Sequence, residues 1–202
     1  MGLKRIGLLG GSFDPIHLAH VALARTARDY LRLDHVQLLP AQQPWQKPDL
    51  SATAEQRLAM VRLATENEVG IDVNPMELQR PGKTYTIDTL EKLPPNCQYF
   101  WLLGADQLQN FCTWHRWQDV SRLVTLAAAT RPGSKLQIPP PLSQRIASGE
   151  AKLELLPFDP IDVSSSQLRA ALVKGDNVSL WLHPNVENYI RQHGLYRHIE
   201  TD

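Results

Sequence analysis

Residues 10–20 have the sequence Gly10-Gly11-Ser12-Phe13-Asp14-Pro15-Ile16-His17-Leu18-Ala19-His20. The residues before them, Arg5-Ile6-Gly7-Leu8-Leu9, form a mostly apolar run that is long enough for one buried strand. After them, apolar side chains recur at helical spacing, at Leu18, Val21 and Ala24. The segment therefore predicts a strand, a glycine turn and the first turn of a helix. The free N–H groups of that turn, together with the helix dipole, form an anion-binding site.

Two histidines, His17 and His20, lie in the first turn of this predicted helix. Because they are three residues apart, their imidazoles share one face and could donate hydrogen bonds to a phosphate in a transition state. The turn matches neither the G-x-x-x-x-G-K-[ST] nor the G-x-G-x-x-G pattern of phosphate-binding loops. An ordinary strand–helix turn is one alternative. Half of a metal site is another, but no nearby Cys or carboxylate at ligand spacing completes it, so we predict no metal-binding residues.

Length and composition indicate a single α/β domain, residues 1–202, with a C-terminal helical part from about residue 164 that packs on the core. The chain carries 21 basic and 21 acidic side chains, and this balance argues against nucleic acid and anionic membranes as partners. Cys97 and Cys112 are not at ligand spacing and indicate a reducing compartment. We find no bilayer-spanning run and no signal peptide, and we therefore expect a cytoplasmic protein.

Further apolar runs predict more strands. The order strand, helix, strand over the first 40 residues implies a parallel pair joined by a right-handed crossover. Ligands of open parallel sheets bind beyond the carboxyl ends of the strands, where the glycine turn also lies. The fold class predicted is α/β, an open parallel sheet with helices on both faces. The predicted later strands are 36–40, 69–73, 97–103, 123–129 and 153–156.

One helix in the first half of the chain can be placed by its start. Ser51 or Thr53, followed by Glu55 and Gln56, provides the hydroxyl and the amide of a capping box. Arg57 lies just inside this helix, and we interpret it as structural.

Candidate binding residues follow several strand ends. Lys47, in a proline-bracketed loop, could reach a triphosphate, although a solvated surface lysine is equally compatible with the composition. Asp106 follows Gly104 after the most apolar strand and could accept hydrogen bonds from ribose hydroxyls, or cap a helix. Trp114 or Trp117 offers a flat face for a pyridine ring, although core packing is the commoner role of tryptophan.

Two more helix starts could hold anions. Thr86 is predicted to cap a helix over Ile87–Leu93, and an ordinary capped helix is the alternative. The run Ser164-Ser165-Ser166 opens another helix, and Arg169 lies one turn further along it. Serine hydroxyls and a guanidinium fork suit a phosphate group, although a capping run with a surface arginine is the simpler explanation.

The motif Gly11-Ser12-Phe13-Asp14-Pro15-x-His17-x-x-His20 closely resembles the signature of the HxGH nucleotidylyltransferase superfamily. This resemblance implies a Rossmann-like fold of the nucleotidylyltransferase type and transfer of a nucleotidyl group from a nucleoside triphosphate. Ala19 stands where the signature usually has Gly, and a helical backbone accommodates alanine. Val163-Ser164-Ser165-Ser166-x-x-Arg169 resembles the Ile-Ser-Ser-Thr-x-x-Arg motif of the same superfamily.

A second motif narrows the resemblance. Thr84-Tyr85-Thr86-x-Asp88-Thr89 resembles the Tyr-Thr-x-Asp-Thr element of nicotinate-mononucleotide adenylyltransferases, whose backbone receives the nicotinate carboxylate. In that family Gly-x-Asp binds adenosine and a loop tryptophan stacks on the nicotinate. Trp114 is the best match for that tryptophan and Trp117 is the reserve. Pro44-Trp45-Gln46-Lys47 departs from the family's Pro-Pro-His-Lys in the middle but keeps the lysine.

The resemblance implies the following site. The catalytic residues are His17, His20, Lys47 and Arg169. ATP is bound by Gly10, Gly11, Ser12, Phe13, His17, His20, Gly104, Asp106, Ser164, Ser165 and Arg169. Nicotinate mononucleotide is bound by Ser12, Lys47, Thr84, Tyr85, Thr86 and Trp114.

The function implied is transfer of AMP from ATP to nicotinate mononucleotide, by direct in-line attack and with Mg²⁺ as cofactor. The products are nicotinate adenine dinucleotide and pyrophosphate. Other acceptors within the superfamily are phosphopantetheine, glycerol phosphate and nicotinamide mononucleotide. A non-catalytic nucleotide-binding module is the alternative from a different class. The oligomeric state, monomer or homodimer, stays open.

Overall fold

A computed structural model describes residues 2–44, 50–80, 82–130, 136–159 and 161–197. Within these residues six strands form one sheet, and every neighbouring pair is parallel. The strand order β3-β2-β1-β4-β5-β6 confirms the predicted open parallel sheet. The strands are β1 Lys4–Gly11, β2 His35–Pro40, β3 Ile71–Val73, β4 Cys97–Leu103, β5 Thr125–Thr130 and β6 Lys152–Pro157.

The sheet order reverses between β1 and β4. From β1 the chain builds outward through β2 and β3, and from β4 it builds in the opposite direction through β5 and β6. Connections that leave in opposite directions open a crevice at the carboxyl edge between the two central strands. The glycine turn after β1 and Gly104 after β4 lie on either side of this crevice.

Helices cover both faces of the sheet, as predicted. One apolar cluster contains Leu9 and packs under α1, α2, α7 and α8, and the other contains Leu8 and packs under α3 to α6. Adjacent residues of β1 therefore point to opposite cores, as the pleat of a strand requires. The helices are α1 Leu18–Tyr30, α2 Ala54–Thr65, α3 Thr86–Leu90, α4 Ala105–Gln109, α5 Trp117–Leu123, α6 Pro140–Ala147, α7 Ser165–Lys174 and α8 Pro184–Gln192. Short 3₁₀ turns span Pro75–Glu77 and Phe111–Thr113.

The predicted start of α2 is correct. Thr53 is its N-cap, and its hydroxyl accepts a hydrogen bond from the Gln56 N–H while the Gln56 amide accepts one from the Thr53 N–H. This reciprocal pair is the capping box that the sequence indicated. None of the helices in the described ranges is long and apolar enough to cross a membrane.

Several predicted boundaries are wrong. The first strand extends through Gly10 and Gly11, which were predicted to lie in the turn, and the strand predicted over 69–73 begins at Ile71. The helix predicted over Ile87–Leu93 ends at Leu90, and Thr86 is its first residue rather than its cap, because Tyr85 occupies the N-cap position. The chain then tightens into three-residue turns ahead of Pro94-Pro95, whose rings disfavour helix in the residue before them. The strand predicted over 123–129 begins at Thr125, because Leu123 ends α5 with half of its surface exposed.

Candidate active site

The carboxyl edge of the sheet carries a cleft of about 730 Å³ between the glycine turn, α4 and the start of α7. It brings together most of the site residues that the sequence predicted, from five separate segments of the chain. Lys47 lies outside the described residues. The predicted residues that line the cleft are Gly10, Gly11, Ser12, His17, His20, Thr84, Thr86, Gly104, Asp106, Trp114, Ser164 and Ser165.

The absence of a side chain has different consequences at two glycines of the cleft, Gly10 and Gly104. A Cβ on Gly10 would lie 2.8 Å from the Trp101 ring, so packing within the protein excludes any side chain there. A Cβ on Gly104 would meet no protein atom within 4 Å. At Gly104, therefore, glycine is not demanded by the protein's own packing. It keeps the backbone open to a molecule in the cleft.

His17 and His20 form a stacked pair at the start of α1. His17 is the N-cap residue, and its backbone N–H donates to Nδ1 of His20 over 3.2 Å. The two ring centroids are 3.7 Å apart with an interplanar angle of 31°. Because Nδ1 of His20 accepts a hydrogen bond, the neutral imidazole carries its proton on Nε2, where it is a donor.

Phe13 packs against this pair from the core side and does not line the cleft. Its side chain is fully buried in the core, and its ring meets that of His20 edge to face at 5.0 Å. Its φ of 49° lies in the left-handed region, where non-glycine residues are uncommon. The Phe13 side chain does not line the cleft, and its predicted contact with ATP stays a prediction.

Arg57 is structural, as predicted, and it joins the segments that follow β1 and β2. Its guanidinium is fully buried and donates to the carbonyls of Ser12 (2.7 Å), Ala41 (2.7 Å) and Gln42 (3.1 Å). Burial lowers the pKa of Arg57. These contacts fix the ends of β1 and β2 relative to each other.

Asp14 is a buried residue that sequence reasoning missed. Its carboxylate accepts hydrogen bonds from the N–H groups of Ser51 and Ala52, at 2.8 and 3.1 Å, and from the Tyr196 hydroxyl at 2.6 Å. Burial, reinforced by this carboxylate, raises the pKa of the Tyr196 phenol. The signal in the sequence was the aspartate itself, an acidic residue inside the glycine turn.

The start of α7 lies against the same turn. Ser164 caps the helix by accepting the Gln167 N–H, and Ser165 donates to the Pro15 carbonyl at 2.9 Å. Arg169 donates from Nη1 to the Asp14 carbonyl at 2.7 Å and does not line the cleft. In this structure Arg169 therefore holds the segment after β1, and Val163, Ser164 and Ser165 are the residues of this motif that line the cleft.

The other end of the cleft contains Thr84, Thr86 and Trp114. The Thr84 N–H donates to the Gln43 carbonyl at 2.9 Å, which ties this segment to the loop after β2. Trp114 packs edge-on against Trp101, with ring centroids 6.3 Å apart, and its indole Nε1 is buried without a partner among the described residues.

Tyr85 and Trp117 turn away from the cleft. The Tyr85 ring packs on His115 with centroids 4.7 Å apart, and Tyr85 is not among the residues that line the cleft. Trp117 packs against Phe111 and under the guanidinium of Arg145. Of the two candidate tryptophans, only Trp114 is part of the described cleft wall.

Glu77, which sequence reasoning missed, also belongs to the cleft wall and is 3% exposed. Burial raises its pKa to about 7, although the Thr89 hydroxyl and Arg80 act in the opposite direction. The folded protein therefore holds this proton more tightly than the unfolded chain does. Stability from this group is complete below the unfolded pKa and is lost as the pH rises through about 7.

We expect Glu77→Gln to remove this pH dependence. Between pH 4.5 and pH 8, the free energy of unfolding of the variant should gain on that of the wild type by about 3 kcal/mol. Urea denaturation at several pH values measures this difference. A constant gap between the two proteins over that range would contradict a raised pKa at Glu77.

The sequence profile of the cytidylyltransferase-like family matches residues 8–171. A "probable nicotinate-nucleotide adenylyltransferase" of Bordetella avium is 53% identical over 96% of this chain and 99% of its own length. The protein of the same name from Bordetella pertussis is 51% identical over 98% and 100%.

A solved structure has the same fold. It is the nicotinic acid mononucleotide adenylyltransferase of Plasmodium falciparum complexed with NaAD, with a TM-score of 0.77, 22% identity and coverage of 96% of this chain and 97% of the other. The profile match and the identities above 50% over nearly full lengths establish the family. This chain belongs to the cytidylyltransferase-like family and, within it, to the nicotinate-nucleotide adenylyltransferases.

Proposed function

We propose that this protein transfers AMP from ATP to nicotinate mononucleotide and releases pyrophosphate, with nicotinate adenine dinucleotide as the product. The observation that carries the proposal is the composition of this cleft. It contains a histidine pair at a helix start beside Gly104 and Asp106, and it extends to Thr84, Thr86 and Trp114. Two nucleotides can thus meet end to end. The names of the relatives support this reaction.

In this proposal ATP occupies the end of the cleft formed by α4, α1 and α7. Asp106, in the first turn of α4, accepts hydrogen bonds from the ribose hydroxyls, and the open space at Gly104 admits the adenosine. The hydroxyls of Ser164 and Ser165 already donate to Gln167 and Pro15, so the backbone N–H groups at the start of α7 donate to the terminal phosphates. Lys47 keeps its predicted role at the phosphates. Arg169 acts on them by holding the turn at Asp14.

The chemical step needs no protein nucleophile. A 5′-phosphate oxygen of the mononucleotide attacks the α-phosphorus of ATP, the new P–O bond forms in line, and the bond to the β-phosphate oxygen breaks. Pyrophosphate leaves with that electron pair. Catalysis is then positioning and charge stabilisation. His17 and the Nε2–H of His20 stabilise the negative charge that develops around the α-phosphate.

Mg²⁺ is proposed to enter with ATP as part of the substrate. No group of three or more His, Cys, Asp or Glu able to hold a metal was found in the described ranges. Asp106 and Glu77 are the acidic residues of the described cleft wall. This donor set fits an ion bound mainly by phosphate oxygens and water. Such an ion would neutralise part of the phosphate charge.

The nicotinate is proposed to bind at the opposite end of the cleft. Backbone groups of Thr84–Thr86 receive its carboxylate, and the Trp114 indole stacks on its pyridine ring. Both roles follow the family resemblance and are supported by where these residues lie. We further propose that residues 1–202 act as one domain and that the protein works in the cytoplasm.

The direct test is pyrophosphate release in the presence of ATP and Mg²⁺, with nicotinate mononucleotide and nicotinamide mononucleotide compared as acceptors. We expect release with both substrates present and a strong preference for the acid. Preference for the amide would replace the substrate, and no release with either would favour the binding-module alternative.

His20→Ala should lower kcat by about a hundredfold, which is the scale of one lost oxyanion donor. His193→Ala is the matched control, because His193 is exposed and packs on Tyr189 outside the cleft wall. Steady-state kinetics with saturating substrates measure the effect. An unchanged kcat in His20→Ala would exclude the proposed role.

Trp114→Ala should raise the KM for nicotinate mononucleotide severalfold and leave the KM for ATP close to that of the wild type. The lost stacking contact is of the order of 1 kcal/mol. Trp117→Ala serves as the comparison, since that ring packs on Phe111. If only Trp117→Ala raised this KM, the stacking residue would be misassigned.

A further inference from the structure

Glu77 occupies an unusual position for a carboxyl group. It ends the 3₁₀ turn Pro75–Glu77 after β3, it is 3% exposed, and it forms part of the same cleft wall as Thr84 and Thr86. An acidic group beside the place proposed for an anionic substrate would repel it. Its burial there therefore calls for an explanation in terms of substrate charge.

A directional chain of hydrogen bonds holds this carboxyl. The Thr89 hydroxyl donates to Oε1 of Glu77 at 2.6 Å, and Nη2 of Arg80 donates to the Thr89 oxygen at 2.5 Å. Because a hydroxyl has one proton, Thr89 donates it to Glu77 and can only accept a hydrogen bond from Arg80. Thr89 is fully buried in α3, the helix that begins at Thr86. The network therefore links the charged pair to the segment proposed to receive the pyridine substituent.

The charge of this network depends on one proton. Nη2 of Arg80 lies 3.9 Å from Oε1 of Glu77, and Nε of Arg80 is buried without a partner among the described residues. When Glu77 is ionised, the pair has no net charge. When Glu77 is protonated, the Arg80 charge is uncompensated and the network has a charge of +1.

We propose that Glu77 is a specificity-determining residue, which sets the preference of the cleft for an anionic rather than a neutral substituent on the pyridine ring. With a neutral carboxyl, the uncompensated charge of Arg80 favours a carboxylate on the ring. With an ionised carboxyl, that advantage disappears and the two anions repel each other. This inference rests on the proposed function and names the residue that controls its substrate charge.

The titration of Glu77 supports this assignment. Its raised pKa of about 7 places the change of charge in the neutral range. Arg80 is the one charged group that acts on it within the described chain. Asp88 of α3 is not among the groups that shift the pKa of Glu77. His35 of β2 and Asp72 of β3 lie 3.5 Å from each other and are likewise not among those groups.

The experiment compares kcat/KM for nicotinate mononucleotide with kcat/KM for nicotinamide mononucleotide from pH 6 to pH 8. Both substrates carry the same 5′-phosphate, so titration of the phosphate cancels in the ratio, whereas only one carries the ring carboxylate. In the wild type we expect the ratio of acid to amide to fall about tenfold over this range, the scale of two charges a few ångströms apart in a partly polar medium.

Glu77→Gln keeps an oxygen that can accept the Thr89 hydroxyl but removes the titration. Its ratio should stay flat at the level that the wild type shows at pH 6. Arg80→Gln should lower the ratio at pH 6 to near the wild-type value at pH 8. Glu154→Gln, at an exposed position on β6, is the matched control and should follow the wild type.

A pH-independent ratio in the wild type would overturn the proposal without any variant, so a failure of Glu77→Gln to fold does not protect it. An unaltered pH profile in a folded Glu77→Gln would also overturn it. Both results leave the adenylyltransferase activity standing. Absence of turnover with either mononucleotide would instead reject the proposed function, and this inference with it.

Discussion

The buried carboxylate of Asp14 is the point on which the rest of the site depends. The carboxylate accepts hydrogen bonds from two backbone N–H groups of the segment before α2 and from the hydroxyl of Tyr196. The backbone carbonyl of Asp14 accepts a hydrogen bond from Arg169. A buried carboxylate that lost these donors would be strongly destabilising. Because His17 follows only three residues later, the network that satisfies Asp14 also sets where the imidazoles lie. Hydrogen bonds to Asp14 thereby join the N-terminal glycine turn to the C-terminal residues Arg169 and Tyr196.

The reversal of the sheet explains how one cleft receives residues from both faces of the sheet. The connection from β1 runs to α1 on one face, and the connection from β4 runs to α4 on the other. The helix starts of the first face supply the histidines and serines, and the second face supplies Trp114 and the segment Thr84–Thr86. The histidine pair lies near the boundary between the two groups. Parallel topology thus brings the groups proposed to bind phosphate and those proposed to bind the pyridine ring to opposite sides of a single crevice.

The features that the sequence allowed us to predict are local ones. The glycine turn, the histidine spacing and the capping box at Thr53 depend on residues three or four positions apart, and patterns of that length are visible in a sequence. The hydrogen bonds of Asp14 and Arg169 connect residues 182 and 155 positions apart, and no local pattern announces them. The length of α3 was overestimated for a related reason: a capping signal indicates where a helix begins but not where it ends.

Arg57 and Glu77 show why a buried charge can be explained in two ways. The carbonyls that accept from Arg57 terminate β1 and follow β2, so the guanidinium satisfies buried acceptors that the sheet leaves over. Its presence is explained by the fold alone. Thr89 is the side-chain donor to Glu77, and a neutral amide would satisfy that hydroxyl equally well. Nη2 of Arg80 lies 3.9 Å from Oε1 of Glu77, so an ionised carboxyl there balances the charge of Arg80. Burial opposes the same ionised form. The proposed role of Glu77 follows from this competition, because a removable proton changes the charge that a ligand in the cleft would meet.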